Sequence, residues 1–365
     1  MKVTFRVDAS VAIGSGHVMR CMTLATALRD RGAQCQFICR AHNGNLIELL
    51  RQRGFDVVEL TLRDVDGEGE GIVADTSAPA HANWLDCDWK ADAVETRAAL
   101  QALQPDWLVI DHYALDRRWE AEVRCGELRL MVIDDLADRM HECELLLDQN
   151  LGRRAADYAA LVPASCNLLI GPQHALLRPE FVSLREASLQ RPRTSVARVL
   201  VNMGGVDQPN ATGAVLRMLR QFELPRDCRI SVVMGMRAPW TCQVRELAAA
   251  MPWRTEVLVN ISNMAQRMAA SDLAIGAAGS TSWERCCLGL PALMVVLASN
   301  QEQGAAALAR AGAAELLGTV ADLGATLPAA MFEMMAGERL VRMSRVAASL
   351  VDGRGVDKVV HALER

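Results

Sequence analysis

The sequence predicts an α/β protein built of two Rossmann-like, doubly wound domains facing a common cleft. Three observations predict it. Short β-rich runs alternate with stretches of helical period from the N-terminus onward, the signature of a parallel sheet flanked by helices. The same alternation repeats in the second half. Between the halves lies a segment with Gly171-Pro172, Pro179, Pro192 and a polar run at 186–193, the composition of a linker. The domains are accordingly placed at 1–175 and 195–365, with 176–194 joining them. Two domains also suit a chain of 365 residues, at about 150 residues per domain.

In the first half the expected strands are 3–8, 34–39, 56–60, 107–111, 130–134, 145–148 and 167–170. After the first, Cys21, Leu24, Ala25 and Leu28 recur at i, i+3, i+4, i+7, one face of a helix. After the second, Ile47, Leu50 and Arg51 begin a helix that Gly54 ends. The acidic stretch at 63–71, bracketed by glycines, reads as a solvated loop. In the second half the strands are 197–202, 229–234, 256–259, 273–276 and 292–296, with helices at 264–270 and 280–288 among those between them. Helical patterns continue from about 323 to the end, with no role assigned to them. Open parallel sheets bind ligands beyond the carboxyl ends of their strands, so the residues that follow the strands are the ones to inspect.

Composition excludes several functions. Hydrophobic residues at 51% and charged ones at 23% describe a folded globular chain. Lys plus Arg number 39 against 44 Asp plus Glu, a net charge of -5 that leaves no electrostatic footprint for nucleic acid or an anionic membrane. The longest apolar runs, near 290–298 and 168–170, fall short of the roughly 20 residues a membrane helix needs. Lys2, Arg6 and Asp8 interrupt the opening segment, which is therefore no signal peptide. The eleven cysteines are odd in number and include no C-x-x-C pair, against a zinc knuckle or a disulfide framework. Most sit in apolar runs, as Cys35 and Cys39 do around Phe37 and Ile38, and imply a reducing, cytoplasmic setting.

Gly14-Ser15-Gly16-His17 follows the first strand and leads into the helix. Glycines let a ligand approach the backbone, and first-turn N–H groups point outward. The positive helix end disfavours imidazolium, so His17 is expected to stay neutral near pH 7 and to accept a proton as a general base. The competing reading is a histidine that packs or caps at a helix start. As a dinucleotide fingerprint the loop fails, because Met19 stands where the third glycine of G-x-G-x-x-G belongs. Asp111-His112-Tyr113 ends another strand, where a phenol or carboxylate can orient a water or stabilise developing positive charge; equally, Asp111 caps the next turn. The pair Asp134-Asp135 ends the following strand with the same two readings.

In the second half, Asn202-Met203-Gly204-Gly205 and Gly276-Ala277-Ala278-Gly279-Ser280-Thr281 each follow a strand, offering bare backbone N–H groups and hydroxyls to a diphosphate. Glu284, one turn on, suits a ribose diol. Thr281-Ser282-Trp283-Glu284 also has the spacing of a capping box, and spacing does not separate the two. Asp64-Val65-Asp66 and Asp86-Cys87-Asp88 are the D-x-D pairs of the chain, but neither follows a convincing strand and both are taken as loop residues. No metal and no cofactor is expected, and G-x-S-x-G and H-E-x-x-H are missing.

Three segments together carry a resemblance. Asp8-Ala9-Ser10 with 13–21 (Ile-Gly-Ser-Gly-His-Val-Met-Arg-Cys), then Asp111-His112-Tyr113, then 275–291 from Ile275 to Pro291, resemble in order the UDP-2,4-diacetamido-2,4,6-trideoxy-β-L-altropyranose hydrolases of bacterial pseudaminic acid synthesis. The match runs from Met1 to about Asn300-Gln301, and 276–291 is its most specific part. That family resembles the two-domain GT-B glycosyltransferases of the MurG type, but passes the sugar to water. The resemblance implies that His17 activates the water and that Tyr113 helps orient it. It also implies that Gly204, Gly205, Ser280, Thr281 and Glu284 hold UDP, with Asn300 near the sugar. Gly14, Ser15, Gly16, Arg20, Asp111, Gly279 and Gln301 join the substrate-binding set on the same ground. The 276–279 segment departs from the pattern, with two alanines where more glycine is expected.

The expected partner is thus the UDP-sugar alone, with no nucleic acid, no membrane and no obligate protein partner. UDP is a good leaving group, and backbone dipoles and hydroxyls can stabilise its charge without a metal. Attack by one water at the anomeric carbon implies inversion. A GT-B glycosyltransferase and a non-catalytic nucleotide-sugar binding protein are the alternatives: the first needs an acceptor, and the second releases no UDP.

Overall fold

The computed structural model describes residues 1–62 and 78–365; the whole 63–71 stretch, with the pair Asp64/Asp66, lies outside the described residues. The chain divides into two compact units, one of 1–176 with 356–365 and one of 177–355.

The first unit contains β1 (Lys2–Val7), α1 (Gly16–Asp30), β2 (Gln34–Arg40), α2 (Ile47–Gln52), β3 (Asp56–Leu60), α3 (Trp89–Leu103), β4 (Trp107–Asp111), α4 (Arg117–Val123), β5 (Arg129–Ile133), β6 (Leu145–Asp148), α5 (Ala155–Tyr158) and β7 (Asn167–Ile170). Its strands pair in parallel in the order β3-β2-β1-β4-β5-β6-β7. Parallel strands covered by helices on both faces need apolar residues on both, and all five residues of β4 and all four of β6 are buried. One face packs on α1 through Cys21, Leu24, Ala25 and Leu28, as their spacing predicts; the other packs on Trp119, Leu100 and Ala93.

The second unit contains α6 (Pro179–Leu189), β8 (Arg198–Asn202), α7 (Ala211–Leu219), β9 (Arg229–Met234), α8 (Thr241–Ala249), β10 (Arg254–Val259), α9 (Met264–Ala270), β11 (Leu273–Ala277), α10 (Thr281–Cys287), β12 (Ala292–Val295), α11 (Glu302–Ala311), β13 (Glu315–Leu316), α12 (Leu323–Met335) and α13 (Glu338–Leu350). Its order is β10-β9-β8-β11-β12-β13, again parallel throughout. In both sheets the order reverses between the first and fourth strands, which is where doubly wound sheets open a crevice.

The division differs from the sequence reading at both ends of the second unit. The supposed linker 176–194 holds a helix, α6, with Pro179 at its first position, where a missing N–H costs nothing. Its Phe181 is buried, Ser188 Oγ donates to the Leu288 carbonyl at 2.8 Å, and Arg185 donates to the carbonyls of Cys287 and Ala348. The last helix, α14 (Gly355–Leu363), belongs to the first unit, so 195–365 is not one body. Val359, Val360 and Leu363 join the core beneath α1, and Trp107 Nε1 donates to the Leu363 carbonyl at 3.0 Å. Among the described residues no helix is long and apolar enough to cross a membrane.

Candidate active site

The loop between β1 and α1 is built by its own short side chains. Ser10 Oγ accepts from the N–H groups of Ala12 and Ile13 at 3.1 and 2.9 Å, and Gly14 N–H donates to the Ser10 carbonyl at 2.9 Å. Gly14 closes this turn at φ +81°, a conformation costly for any residue with a Cβ. The turn delivers His17 to the first turn of α1, with Arg20 three residues on and so on the same face.

Both meet the end of β4. Val7 is paired with Asp111 in register, so the loop leaving β1 and the last residue of β4 are neighbours across the point where the strand order reverses. His17 Nδ1 lies 2.6 Å from Asp111 Oδ1; Arg20 donates through Nε to Oδ2 and through Nη2 to Oδ1, both at 2.7 Å. The third arm of the guanidinium, Nη1, donates to Asp135 Oδ2 at 2.6 Å, and Tyr113 Oη donates to that same oxygen at 2.7 Å. Asp111 is fully buried, and His17, Arg20 and Tyr113 nearly so.

Burial pushes the Asp111 carboxyl up, but the Arg20 guanidinium and the hydrogen bonds from Arg20 and His17 outweigh it and hold the group well below the usual carboxylate range. Burial and the Asp135 carboxylate hold the Tyr113 hydroxyl well above its ordinary value, so it stays a neutral phenol. A carboxylate can only accept, so a neutral His17 donates Nδ1–H to Asp111 and keeps its lone pair on Nε2. The carboxylate in direct contact sets the tautomer and stabilises any imidazolium that forms.

Three rings stand against this pair. The short turn Ala82–Leu85 before α3 brings in Trp84, preceded by His81. Trp84 stacks on Tyr113 with centroids 5.5 Å apart at 24°, and His81 lies 4.4 Å from Trp84 and 5.5 Å from Tyr113. His17 is edge-on to Tyr113 at 4.6 Å and to Trp84 at 6.3 Å.

Sequence reasoning singled out His17, Arg20, Asp111 and Tyr113, and the structure brings them together. It places Asp111 and Arg20 in a buried ionic pair instead of on a ligand-facing surface. Asp135 was seen only as half of an acidic pair, and His81 and Trp84 carried no motif. Of the D-x-D pair at 86–88, Asp86 Oδ2 is 2.9 Å from His42 Nδ1, and Asp88 caps α3 by accepting from Lys90 N–H at 2.8 Å.

In the second unit the reversal lies between β8 and β11. Gly204 turns the chain at φ +83° after β8, and a Cβ on Gly276 in β11 would come within 2.6 Å of the Asn202 carbonyl. Gly235, which sequence reasoning missed, backs directly onto Gly205: a methyl there would run into the Gly205 carbonyl. A glycine immediately after β9 was the available signal. The start of α7 is closed by its own residues, because Asp207 accepts from the N–H groups of Ala211 and Thr212, and Asn210 from that of Gly213. The start of α10 is different, for Ser280 in the cap position makes no side-chain cap bond.

With Ser280 as cap, the capping-box partner would be residue 283, a tryptophan. Glu284 falls one position too late, so the box read from the sequence does not form. The Glu284 carboxylate instead faces Arg178 Nη2 at 3.6 Å, and burial pushes it up to about 7 against the pull of Arg178 and Arg285. Thr281 and Gly279 are half-buried and Ser280 exposed. Asn300 is exposed in the turn Ser299–Gln301, where Gln301 Oε1 accepts from Leu297 N–H at 3.0 Å and its amide lies beside Gly279.

Two doubly wound units, each with its strand order reversing between the first and fourth strands, define an α/β protein of the two-domain GT-B-like class. Residues 200–352 match the model of the glycosyltransferase family 28 C-terminal domain. The chain is 26% identical to the UDP-2,4-diacetamido-2,4,6-trideoxy-beta-L-altropyranose hydrolase of Campylobacter jejuni, over 86% of this chain and 97% of that one. It is 24% identical to an uncharacterized protein of Methanocaldococcus jannaschii, MJ1062, over 83% of its own length but spanning only 57% of that relative. Among solved structures, MurG of Acinetobacter baumannii superposes with a TM-score of 0.73 at 17% identity, covering 100% of this chain and 99% of its own. The resemblance carried by the motifs, to that hydrolase family and to the MurG-type fold, is borne out.

Proposed function

We propose that this chain is an enzyme acting on a UDP-sugar, and that it hydrolyses a substrate of the UDP-2,4-diacetamido-2,4,6-trideoxy-β-L-altropyranose type to the free sugar and UDP, within pseudaminic acid synthesis. The similarity to the Campylobacter hydrolase supports the substrate class. The observation that carries the hydrolytic reading is the His17–Asp111 pair at 2.6 Å, locked by the Arg20 fork.

In this reading His17 Nε2 takes a proton from a water as the water attacks the anomeric carbon. Asp111 stabilises the imidazolium, help worth roughly 10²–10⁴-fold. Tyr113, held by Asp135, presents its oxygen as an acceptor that helps orient that water. The C–O bond to the diphosphate breaks, the electron pair leaves with UDP, and the anomeric configuration inverts. Gly204, Gly205, Gly279, Ser280 and Thr281 meet the diphosphate with N–H groups and hydroxyls, Glu284 takes the ribose diol, and Asn300 lies toward the sugar. Charge at the diphosphate is balanced without a metal.

The experiment is an acceptor-free incubation of the UDP-sugar in ¹⁸O water, read by NMR and mass spectrometry, before and after exhaustive EDTA treatment. The expected products are UDP without label and a sugar labelled at C1, first formed as the inverted anomer, at an EDTA-insensitive rate. Label in the nucleotide, or release of UMP, overturns C–O cleavage. Activity restored only by Mg²⁺ or Mn²⁺ overturns metal independence. The glycosyltransferase 28 match favours a second reading, transfer to an acceptor, and UDP release that awaits an added acceptor would establish it.

A further inference from the structure

The aromatic turn before α3 is a fixed piece of the first unit. Leu85 is buried, and Asp86 adopts the left-handed conformation at φ 53°. His42 clasps Asp86 through Nδ1 at 2.9 Å, while its Nε2 lies 3.3 Å from the buried Asp8. The chain just after Trp84 is thus tied to the ends of β1 and β2.

Of the rings it gathers, Tyr113 is buried, whereas Trp84 and His81 remain half-buried beside His17. Two aromatic side chains held partly in water, next to an imidazole committed to a carboxylate, match what small-molecule sites present: a rigid apolar surface with a few placed polar groups. The occupant follows from chemistry. A pyranose that has lost hydroxyls and carries a methyl and acetamido groups offers C–H surface, whose positive edges favour the negative face of an indole.

We propose that Trp84, with His81 against it, is the wall on which the sugar ring packs, Trp84 acting as a specificity-determining residue; this rests on the reading of His17 as the base that directs water at the sugar. Uracil is the other flat group of such a substrate, and the test separates the two. In a His17→Ala background, which keeps substrate intact, calorimetry measures the affinity of UDP-2,4-diacetamido-2,4,6-trideoxy-β-L-altropyranose and of UDP alone. Trp84→Ala is expected to weaken the UDP-sugar about 10- to 100-fold while leaving UDP unchanged. Trp84→Phe, which keeps a ring in place and guards against a loosened turn, is expected to recover most of that loss.

An equal loss for both ligands would move the wall to the nucleotide, and unchanged affinity for both would remove it. Acceptor-free turnover by the unaltered protein is scored separately. No turnover together with a sugar-specific loss in Trp84→Ala defeats hydrolysis and leaves the wall standing. Turnover together with unaltered sugar binding defeats the wall alone.

Discussion

The first unit furnishes the reversal point between β1 and β4 with ions; the second furnishes the same point, between β8 and β11, with glycines. Around Asp111 the side chains of His17, Arg20, Tyr113 and Asp135 are joined by contacts of 2.6 to 2.7 Å. Around Asn202, by contrast, Gly204 turns the chain at positive φ, and Gly235 and Gly276 let backbone meet backbone at Gly205 and Asn202. Strand order is shared, so topology supplies the position and the local residues supply the role. Fixed charge beside a histidine suits proton transfer, whereas bare backbone at an uncapped helix start suits an anion. Under the proposed function, chemistry falls to the first unit and nucleotide binding to the second.

Removing the ionic centre is the largest perturbation expected. Asp111→Ala leaves Arg20 buried with Asp135 as its remaining carboxylate, and breaking such a pair costs about 3–5 kcal/mol. At 2–4 °C per kcal/mol for a unit of roughly 150–250 residues, the thermal midpoint should fall by about 10 °C, with turnover lost as well. Asp111→Asn retains much of the packing but offers His17 the wrong hydrogen-bond partner, and should cut kcat by about 10²–10⁴-fold with little loss of stability. Near-normal kcat in the Asn variant would show that the carboxylate only holds the fold together.

The next effect belongs to the second unit. Glu284→Ala should weaken UDP binding about 10- to 100-fold, the value of hydrogen bonds to a charged group, with the thermal midpoint nearly unchanged. Because burial holds this carboxyl up to about 7, its ionised, accepting form grows as pH rises through that range. UDP affinity should therefore strengthen by a few-fold from pH 6 to pH 8 beyond the titration of UDP itself, and Glu284→Gln should abolish that extra rise. A drop in melting temperature with unaltered UDP affinity would return Glu284 to a structural role.

The smallest effect sharpens the glycine side of the comparison. Gly235→Ala pushes a methyl at the Gly205 carbonyl, overpacking worth about 1–3 kcal/mol. Weaker UDP binding should appear as a higher KM with kcat largely kept. A fall in kcat at unchanged KM would place Gly205 outside the nucleotide site.

Much of this was legible in the sequence because it is written in short-range pattern. Short β-rich runs and the Cys21–Leu28 face marked the strands and α1, and the position of His17 and Tyr113 after strands marked their place at a sheet end. What was not legible depended on partners far apart in the chain. Arg20 finds Asp135 across 115 positions, and no local pattern marks that pairing. Trp84 rides on a turn too short to show periodicity. The capping box failed by one residue, since helix α10 starts after Ser280 and not after Thr281. The apolar face of α14 was visible as Val359, Val360 and Leu363, but a helical face does not name the core it will join.

The division of labour is tested most directly by His17→Ala, assayed side by side for acceptor-free turnover of the UDP-sugar and for calorimetric affinity toward UDP. The account predicts turnover reduced by about 10²–10⁴-fold while UDP binds as tightly as to the unaltered protein. Turnover within a few-fold of normal, or a loss of UDP affinity that accounts for the loss of rate, would contradict it.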